Sequence, residues 1–286
     1  MTAAESARTP GRSARRRLRG RRRSNPLDYS RKTWMRLTMA GAFVFLYFPI
    51  VSLVLFSFND SKRNITWQGF TLRYYEKAYE NSQLHEAFLN SMIVASVSTT
   101  VSTILGAMLG LALYRFRFPV QGPYEGMVHL PIVIPEICMG VAMVAFFATV
   151  DIPLSLFTVT VSHIAFSIPF VAVVIRARMA GFDRSLEEAS YDLGASQWQT
   201  FWNVTFPYMQ PGLVAGALLA FTLSLDDFVI TFFTSGPGST TFPIKIYSMV
   251  RFSVTPEVNA ASTVLIVVTL ALTITALAIQ SRAGKG

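Results

Sequence analysis

Six apolar runs, each about twenty residues or longer, divide this 286-residue chain: about 37–58, 88–113, 125–149, 154–175, 212–233 and 258–280. A bilayer core of about 30 Å is crossed by about 20 apolar residues in a helix. Inside lipid the backbone must satisfy its own hydrogen bonds, so runs of this length read as helices. The expectation is an all-α membrane protein with six transmembrane helices. The first run goes from Leu37 through Phe43, Leu46 and Val54 to Phe58. The second is rich in small residues, including Ser96, Ser98, Thr99, Thr100, Gly106 and Gly110. Small side chains let helix backbones approach closely, which predicts packing inside a bundle. Pro49, Pro131, Pro135 and Pro169 lie within runs, where neighbouring helices can satisfy the carbonyls they free.

Only 14% of the residues are charged, against about 25% in soluble domains, yet the net charge is +9. Twelve of the 25 Lys and Arg residues fall in the first 36 positions, and the remaining 13 face 14 acidic residues. The basicity therefore belongs to a tail. Residues 1–30 carry Arg15-Arg16-Arg17 and Arg21-Arg22-Arg23 with little apolar surface to offset ordering, which predicts disorder. Without stacking aromatics the tail reads as an anchor to anionic lipid and not as a nucleic-acid binder. Residues 31–286 are the membrane domain. Placing the N-terminus inside puts the basic flank of the first span, and segments 114–124 and 176–211, in the cytoplasm, together with the C-terminus. One cysteine, Cys138, and three histidines exclude a disulfide framework and predict no metal site. No phosphate-binding glycine loop, nucleophile elbow or zinc motif occurs, so the chain is expected to bind no cofactor and to catalyse no reaction.

Segment 176–211 is neither low in complexity nor rich in Gly and Ser. Leu186, Ala189, Leu193, Trp198, Phe201 and Trp202 recur at helical spacing among Glu187, Glu188 and Asp192. One or two short amphipathic helices are predicted, with Ser185 as N-cap, Glu188 as its capping-box partner, and Gly194 as a left-handed terminator. An amphipathic face under a membrane needs either lipid or a partner to cover it. The order Glu188-Ala189-Ser190, three residues, Gly194, nine residues, then Val204-Thr205-Phe206-Pro207 resembles the EAA motif of bacterial ABC importer permeases. Glu188, Ala189, Gly194 and Pro207 match it outright; Ser190, Val204 and Phe206 depart by small or apolar exchange. The resemblance implies that loop 184–207 couples the membrane domain to an ATP-hydrolysing subunit, with Glu188 as a docking charge. It also implies a type I importer fold, in which a second permease subunit completes a heterodimer. Two copies of the ATPase use ATP and Mg, and an external solute-binding protein delivers the cargo.

Further segments extend the likeness. They include Tyr114-Arg115-Phe116-Arg117-Phe118, Leu130-Pro131, Pro135-Glu136, Leu223-Ser224-Leu225-Asp226-Asp227-Phe228, Ser235-Gly236-Pro237-Gly238 and Thr255-Pro256-Glu257. Over about 37–280 the chain is similar to permease subunits of spermidine/putrescine importers in the bacterial plasma membrane. Permeases for iron, thiamine and aminophosphonates share parts of this pattern and stay as alternatives. A proton-coupled secondary transporter predicts inverted repeats, and none is evident between the halves.

Acidic residues at bilayer depth cost about 2.5–3.5 kcal/mol and mark functional sites by default. Asp226 and Asp227 lie about 14 residues into the fifth run, roughly 21 Å from its inner end, and on a helix they point about 100° apart. One is expected to face the translocation path and the other a neighbouring helix or subunit. Glu136, about 10 residues into the third run, is expected near the midplane. With no Lys or Arg in 125–175 or 212–233, these carboxylates suit a cationic cargo. His163 is read as a satisfied packing residue, and Asp151 and Glu257 as outer-end residues. Trp67, Tyr74, Tyr75 and Tyr79 form either an aromatic belt or a docking surface. Residues 234–241 are expected to make an ordered outer turn.

Overall fold

A computed structural model describes residues 33–61, 66–117, 119–252 and 255–283. The Arg-rich segment 1–30 lies outside them. The chain divides into two units, 1–52 and 53–286. The first holds most of α1 (Thr33–Phe56), an apolar helix with Pro49 inside it and Phe43 stacked on Tyr47 at 6.1 Å.

The second unit begins with α2 (Arg73–Glu80) and α3 (Ser82–Arg115), then α4 (Gln121–Val133), α5 (Glu136–Thr149) and α6 (Leu156–Met179). The loop helices α7 (Ser185–Asp192) and α8 (Gln197–Thr200) follow, then a π-helical turn over Phe201–Thr205. The chain continues through α9 (Phe206–Asp226), α10 (Val229–Thr234), α11 (Phe242–Phe252) and α12 (Pro256–Ala283). Among the described residues five helices are long and apolar enough to cross a membrane, and the pair α4–α5 brings the number to six if it counts as one span.

The core is the meeting of α3, α6 and α9. Small residues bring it about, as the second run predicts. A Cβ on Gly106 would stand 2.6 Å from Val171 Cβ, and one on Gly110 would stand 2.6 Å from the Ala172 carbonyl oxygen. Against these glycines lie Val171 and Ile175, both fully buried, with Met179, Met209 and Ala220 in the same cluster. Ser98 and Ser102 face inward on the same side of α3.

Two of the predicted continuous spans are broken. The third run is two helices meeting at 105°. Ile134 is extended because Pro135 follows it, and Pro135 takes the N-cap position of α5. Glu136 is thus the first residue of a new helix and not the middle of a long one. The fifth run stops at Asp226, turns through Asp227 with ψ 124°, and resumes at Val229. The 100° separation expected for Asp226 and Asp227 therefore does not apply. The two interruptions belong together, because α5 packs on α10, with Phe233 against Gly140.

The unit has two distinct ends. At one, Arg115 pairs with Glu187 at 3.3 Å, Arg176 with Glu125 at 2.9 Å, and the Tyr114 hydroxyl donates to the Phe182 carbonyl at 3.3 Å. Segments 114–124 and 176–211 are therefore neighbours, as a shared side requires. At the other end Asn81 donates to Glu257 at 3.1 Å, Lys245 donates to Gln83 at 2.5 Å, and Asn90 donates to the Thr240 carbonyl at 3.0 Å. The turn at 236–239 is ordered there: Ser239 Oγ binds both the N–H and the carbonyl of Gly236 at 2.7 Å.

Candidate functional site

The motif loop is built from local capping rules. Asp183 Oδ1 accepts the Ser185 N–H at 3.0 Å and starts α7. The same hydrogen bond holds the Asp183 carboxyl below its ordinary range, with a further contribution from the Ser185 hydroxyl. The expected capping box of Ser185 and Glu188 is absent: Ser185 is already the first helical residue, so Asp183 does its work. A capping box forms one helix later. Ser196 Oγ accepts from the Gln199 N–H at 3.3 Å, and Gln199 Oε1 accepts from the Ser196 N–H at 2.8 Å.

Gly194 ends α7 as predicted, with φ +85°. Its N–H donates to the Tyr191 carbonyl at 2.8 Å, and the Ala195 N–H donates to the Ser190 carbonyl at 3.1 Å. That crossed pair is the Schellman closure, which needs a residue able to adopt a left-handed conformation. Beyond it the π turn leads into α9, where the Phe206 N–H reaches back to the Phe201 carbonyl. Pro207, at the second position of α9, has no N–H, and its ring clashes with the carbonyl four residues earlier. Widening the preceding turn relieves that clash.

Glu188 and Ala189 are exposed, and Glu188 makes no ion pair among the described residues. The intramolecular work falls to Glu187, which the sequence places on the polar side of the loop without a role of its own. Its Oε1 accepts from Thr205 Oγ1 at 2.6 Å and from Arg115 at 3.3 Å. One carboxylate thus joins α7, the foot of α9 and the end of α3. Arg178 adds a second tie, donating to the Tyr208 carbonyl at 2.9 Å and lying 4.1 Å from the Tyr208 ring centre. Elsewhere in the loop two large apolar side chains are exposed, Leu193 at 89% and Trp198 at 69%.

At the fifth-span break the two aspartates differ. Asp226 is exposed, whereas Asp227 is buried. Asp227 Oδ2 accepts from the Thr231 N–H and Oγ1, each at 2.8 Å, and Oδ1 accepts from the Ile230 N–H at 3.3 Å. Asp227 is therefore the cap that restarts the helix as α10. His163, 2% exposed, completes the network. Its Nδ1 is 2.7 Å from Ser224 Oγ, and its Nε2 is 2.9 Å from Thr231 Oγ1 and 3.3 Å from Asp227 Oδ2. Ser98 Oγ of α3 donates to Ser224 at 3.0 Å. His163 is a satisfied buried residue, as read from sequence, and its partners are the residues that frame the break. Glu136 is exposed at the start of α5. Among the described residues no group of three or more His, Cys, Asp or Glu can hold a metal ion.

Residues 102–284 match the family of binding-protein-dependent transport system inner membrane components. The chain belongs to this family. The permease is 38% identical to the spermidine/putrescine transport system permease protein PotC of Escherichia coli (strain K12) over 248 residues, 87% of this chain and 94% of that protein. It is 35% identical to the putrescine transport system permease protein PotI of the same strain over 249 residues, 85% of this chain and 89% of that one. In fold it is similar to a bacterial ABC transporter involved in alginate import, with TM-score 0.70 and 17% identity, covering 90% of this chain and 95% of that chain. The permease is thus a multi-pass inner-membrane transport subunit and not an enzyme.

The four aromatic residues Trp67, Tyr74, Tyr75 and Tyr79, between the first two spans, divide into two groups in the permease. Tyr74 is buried with its hydroxyl on the Ser61 carbonyl, and the Tyr75 hydroxyl is 2.7 Å from Ser57 Oγ. Trp67 and Tyr79 are 52% and 75% exposed, so these two of the four are open to lipid or a partner.

Proposed function

We propose that this permease carries a polyamine, spermidine or putrescine, from an external solute-binding protein to the cytoplasm. It would act as one half of a permease heterodimer driven by two copies of a separate ATPase that use ATP and Mg. The observation that carries the mechanism is the tie between the exposed motif loop and the bundle through Glu187. A helix closed at Gly194 and fixed to Thr205 and Arg115 transmits a push as a rigid body into α9. The exposed side chains of Leu193 and Trp198, with Glu188 and Ala189 exposed beside them, support docking of the ATPase there. Pro207, by widening the turn ahead of α9, sets the direction of that push.

Of the three intramembrane carboxylates, Asp226 has the environment best suited to a protonated amine. It is exposed at the C-terminal end of α9, where the unpaired carbonyls and the negative end of the helix dipole add to its charge. Asp227 has both oxygens engaged by its own helix. Glu136 is open at a helix N-terminus, where the dipole offsets part of its charge. Asp226 is accordingly assigned to contact cargo, Glu136 to line the path, and Asp227 to shape it. The cargo reading is supported by the named functions of PotC and PotI and by the acid-only interior.

The test uses the assembled transporter with its binding protein. Spermidine or putrescine is expected to stimulate ATP hydrolysis, and Gly194→Asp to abolish uptake. If the tagged permease brings down no ATPase and Gly194→Asp transports normally, the coupling reading is wrong.

A further inference from the structure

A cavity of about 460 Å³ opens at the loop end of the bundle, between the C-terminal ends of α3 and α6 and the start of α4. Tyr114, Arg117, Gln121, Arg176 and Arg184 line it, so three guanidinium groups from three separate segments converge on one space. Their charges are not equally available. Arg176 is matched by Glu125 in a double contact, Nη1 to Oε2 and Nη2 to Oε1, each 2.9 Å. Arg184 lies over the Tyr114 ring at 5.3 Å and has no carboxylate partner among the described residues. Arg117 is exposed and makes no ion pair among the described residues. The cavity therefore presents two uncompensated positive charges. Gln121 Nε2 donates to the Leu113 carbonyl at 3.3 Å, so this acceptor at the end of α3 is already occupied and does not oppose an anion.

We propose that this cavity binds a phosphate-bearing anion at the cytoplasmic membrane surface. Basic pockets between transmembrane helices on that side suit anionic lipid headgroups, and planar guanidinium groups match phosphate oxygens in paired hydrogen bonds. The site adjoins the coupling loop: Arg184 immediately precedes α7, and Arg115 of the neighbouring turn holds Glu187. A bound phosphate would bridge the 114–121 segment to the start of the loop. The placement on the cytoplasmic side rests on the coupling-loop reading above, whereas anion binding itself does not.

The full-length chain, in its purified complex, is passed through nanodiscs of phosphatidylcholine with or without phosphatidylglycerol, and retained lipid is measured by native mass spectrometry. Phosphatidylglycerol is expected to be retained over phosphatidylcholine, with enrichment falling about fivefold for Arg117→Gln and again for Arg184→Gln. Lysine at both positions should keep most of the enrichment, which separates charge from folding. Inorganic phosphate at millimolar concentration is added in a parallel arm. Displacement of the lipid would identify free phosphate as an occupant, and retention would identify the headgroup. Equal enrichment in wild type and the double glutamine variant, with no phosphate effect, would overturn the site. Lipid retention is read on the permease whether or not an ATPase accompanies it, so failure of the coupling reading stays distinguishable.

Discussion

His163 Nε2 lies 3.3 Å from Asp227 Oδ2, joining two buried side chains 64 residues apart across the point where the fifth span breaks. The contact explains why two adjacent aspartates in an apolar run have separate fates. Asp227 turns inward to cap α10 beside His163, and Asp226 is left at the open end of α9.

Replacing Asp227 should cost stability before it costs transport. Asp227→Ala removes a cap and leaves the Thr231 N–H and hydroxyl without their acceptor, a loss of about 2–4 kcal/mol. A marked fall in Tm of the detergent-solubilised protein is the expected readout. Asp226→Asn, at an exposed position, should leave Tm within a degree or two while lowering polyamine uptake about tenfold, as expected for loss of a charge-assisted contact. Equal Tm changes in the two variants would contradict the division of roles.

Gly110→Ala tests the packing of α3 on α6. The added methyl meets the Ala172 carbonyl oxygen at 2.6 Å, so backbone must move, at about 1–3 kcal/mol. Gly126→Ala in α4 meets nothing within 4 Å and should be neutral or slightly stabilising, since alanine favours helix. Thermal unfolding of the two variants side by side would show the contrast.

Gly194→Ala has no steric conflict, because nothing lies within 4 Å of the added Cβ. The cost is conformational, about 1–2 kcal/mol for holding a non-glycine residue at φ +85°. This strain falls on the loop and not on the core. Cargo-stimulated ATP hydrolysis should drop severalfold while the Tm of the bundle stays put; a Tm loss comparable to Gly110→Ala would refute a local role.

Glu187→Gln and Glu188→Gln should part company. Glu187 holds Thr205 and Arg115, so its loss loosens the loop and lowers the transport obtained per ATP hydrolysed. Glu188 faces outward, so its loss should weaken co-purification of the ATPase instead. Measuring uptake and ATPase retention on both variants separates the two carboxylates.

Features governed by a few neighbouring residues were legible from the chain alone. The left-handed turn at Gly194 needs only its own missing side chain, and the burial of α3 was visible in its small residues. The capping of α7 lies two positions from the sequence expectation, because Asp183 accepts the Ser185 N–H and makes Ser185 the first helical residue instead of its cap. Pro135 was visible yet read as a tolerated irregularity, although the residue before it has no helical option once the chain turns. Nothing local marks Glu187 above Glu188, since their difference is made by Arg115, 72 residues earlier.

By itself, then, the sequence determined a helical membrane protein, its number of apolar runs and the motif loop between the fourth and fifth. Bilayer thickness and backbone hydrogen bonding leave no other solution for such runs. Only the tertiary structure decided where those runs break, which aspartate is buried and which acid ties the loop down. Those outcomes depend on Ser98, His163, Ser224 and Thr231 meeting in one buried network, and on Arg115 reaching Glu187. Side chains that far apart in the chain become neighbours only after the helices have packed.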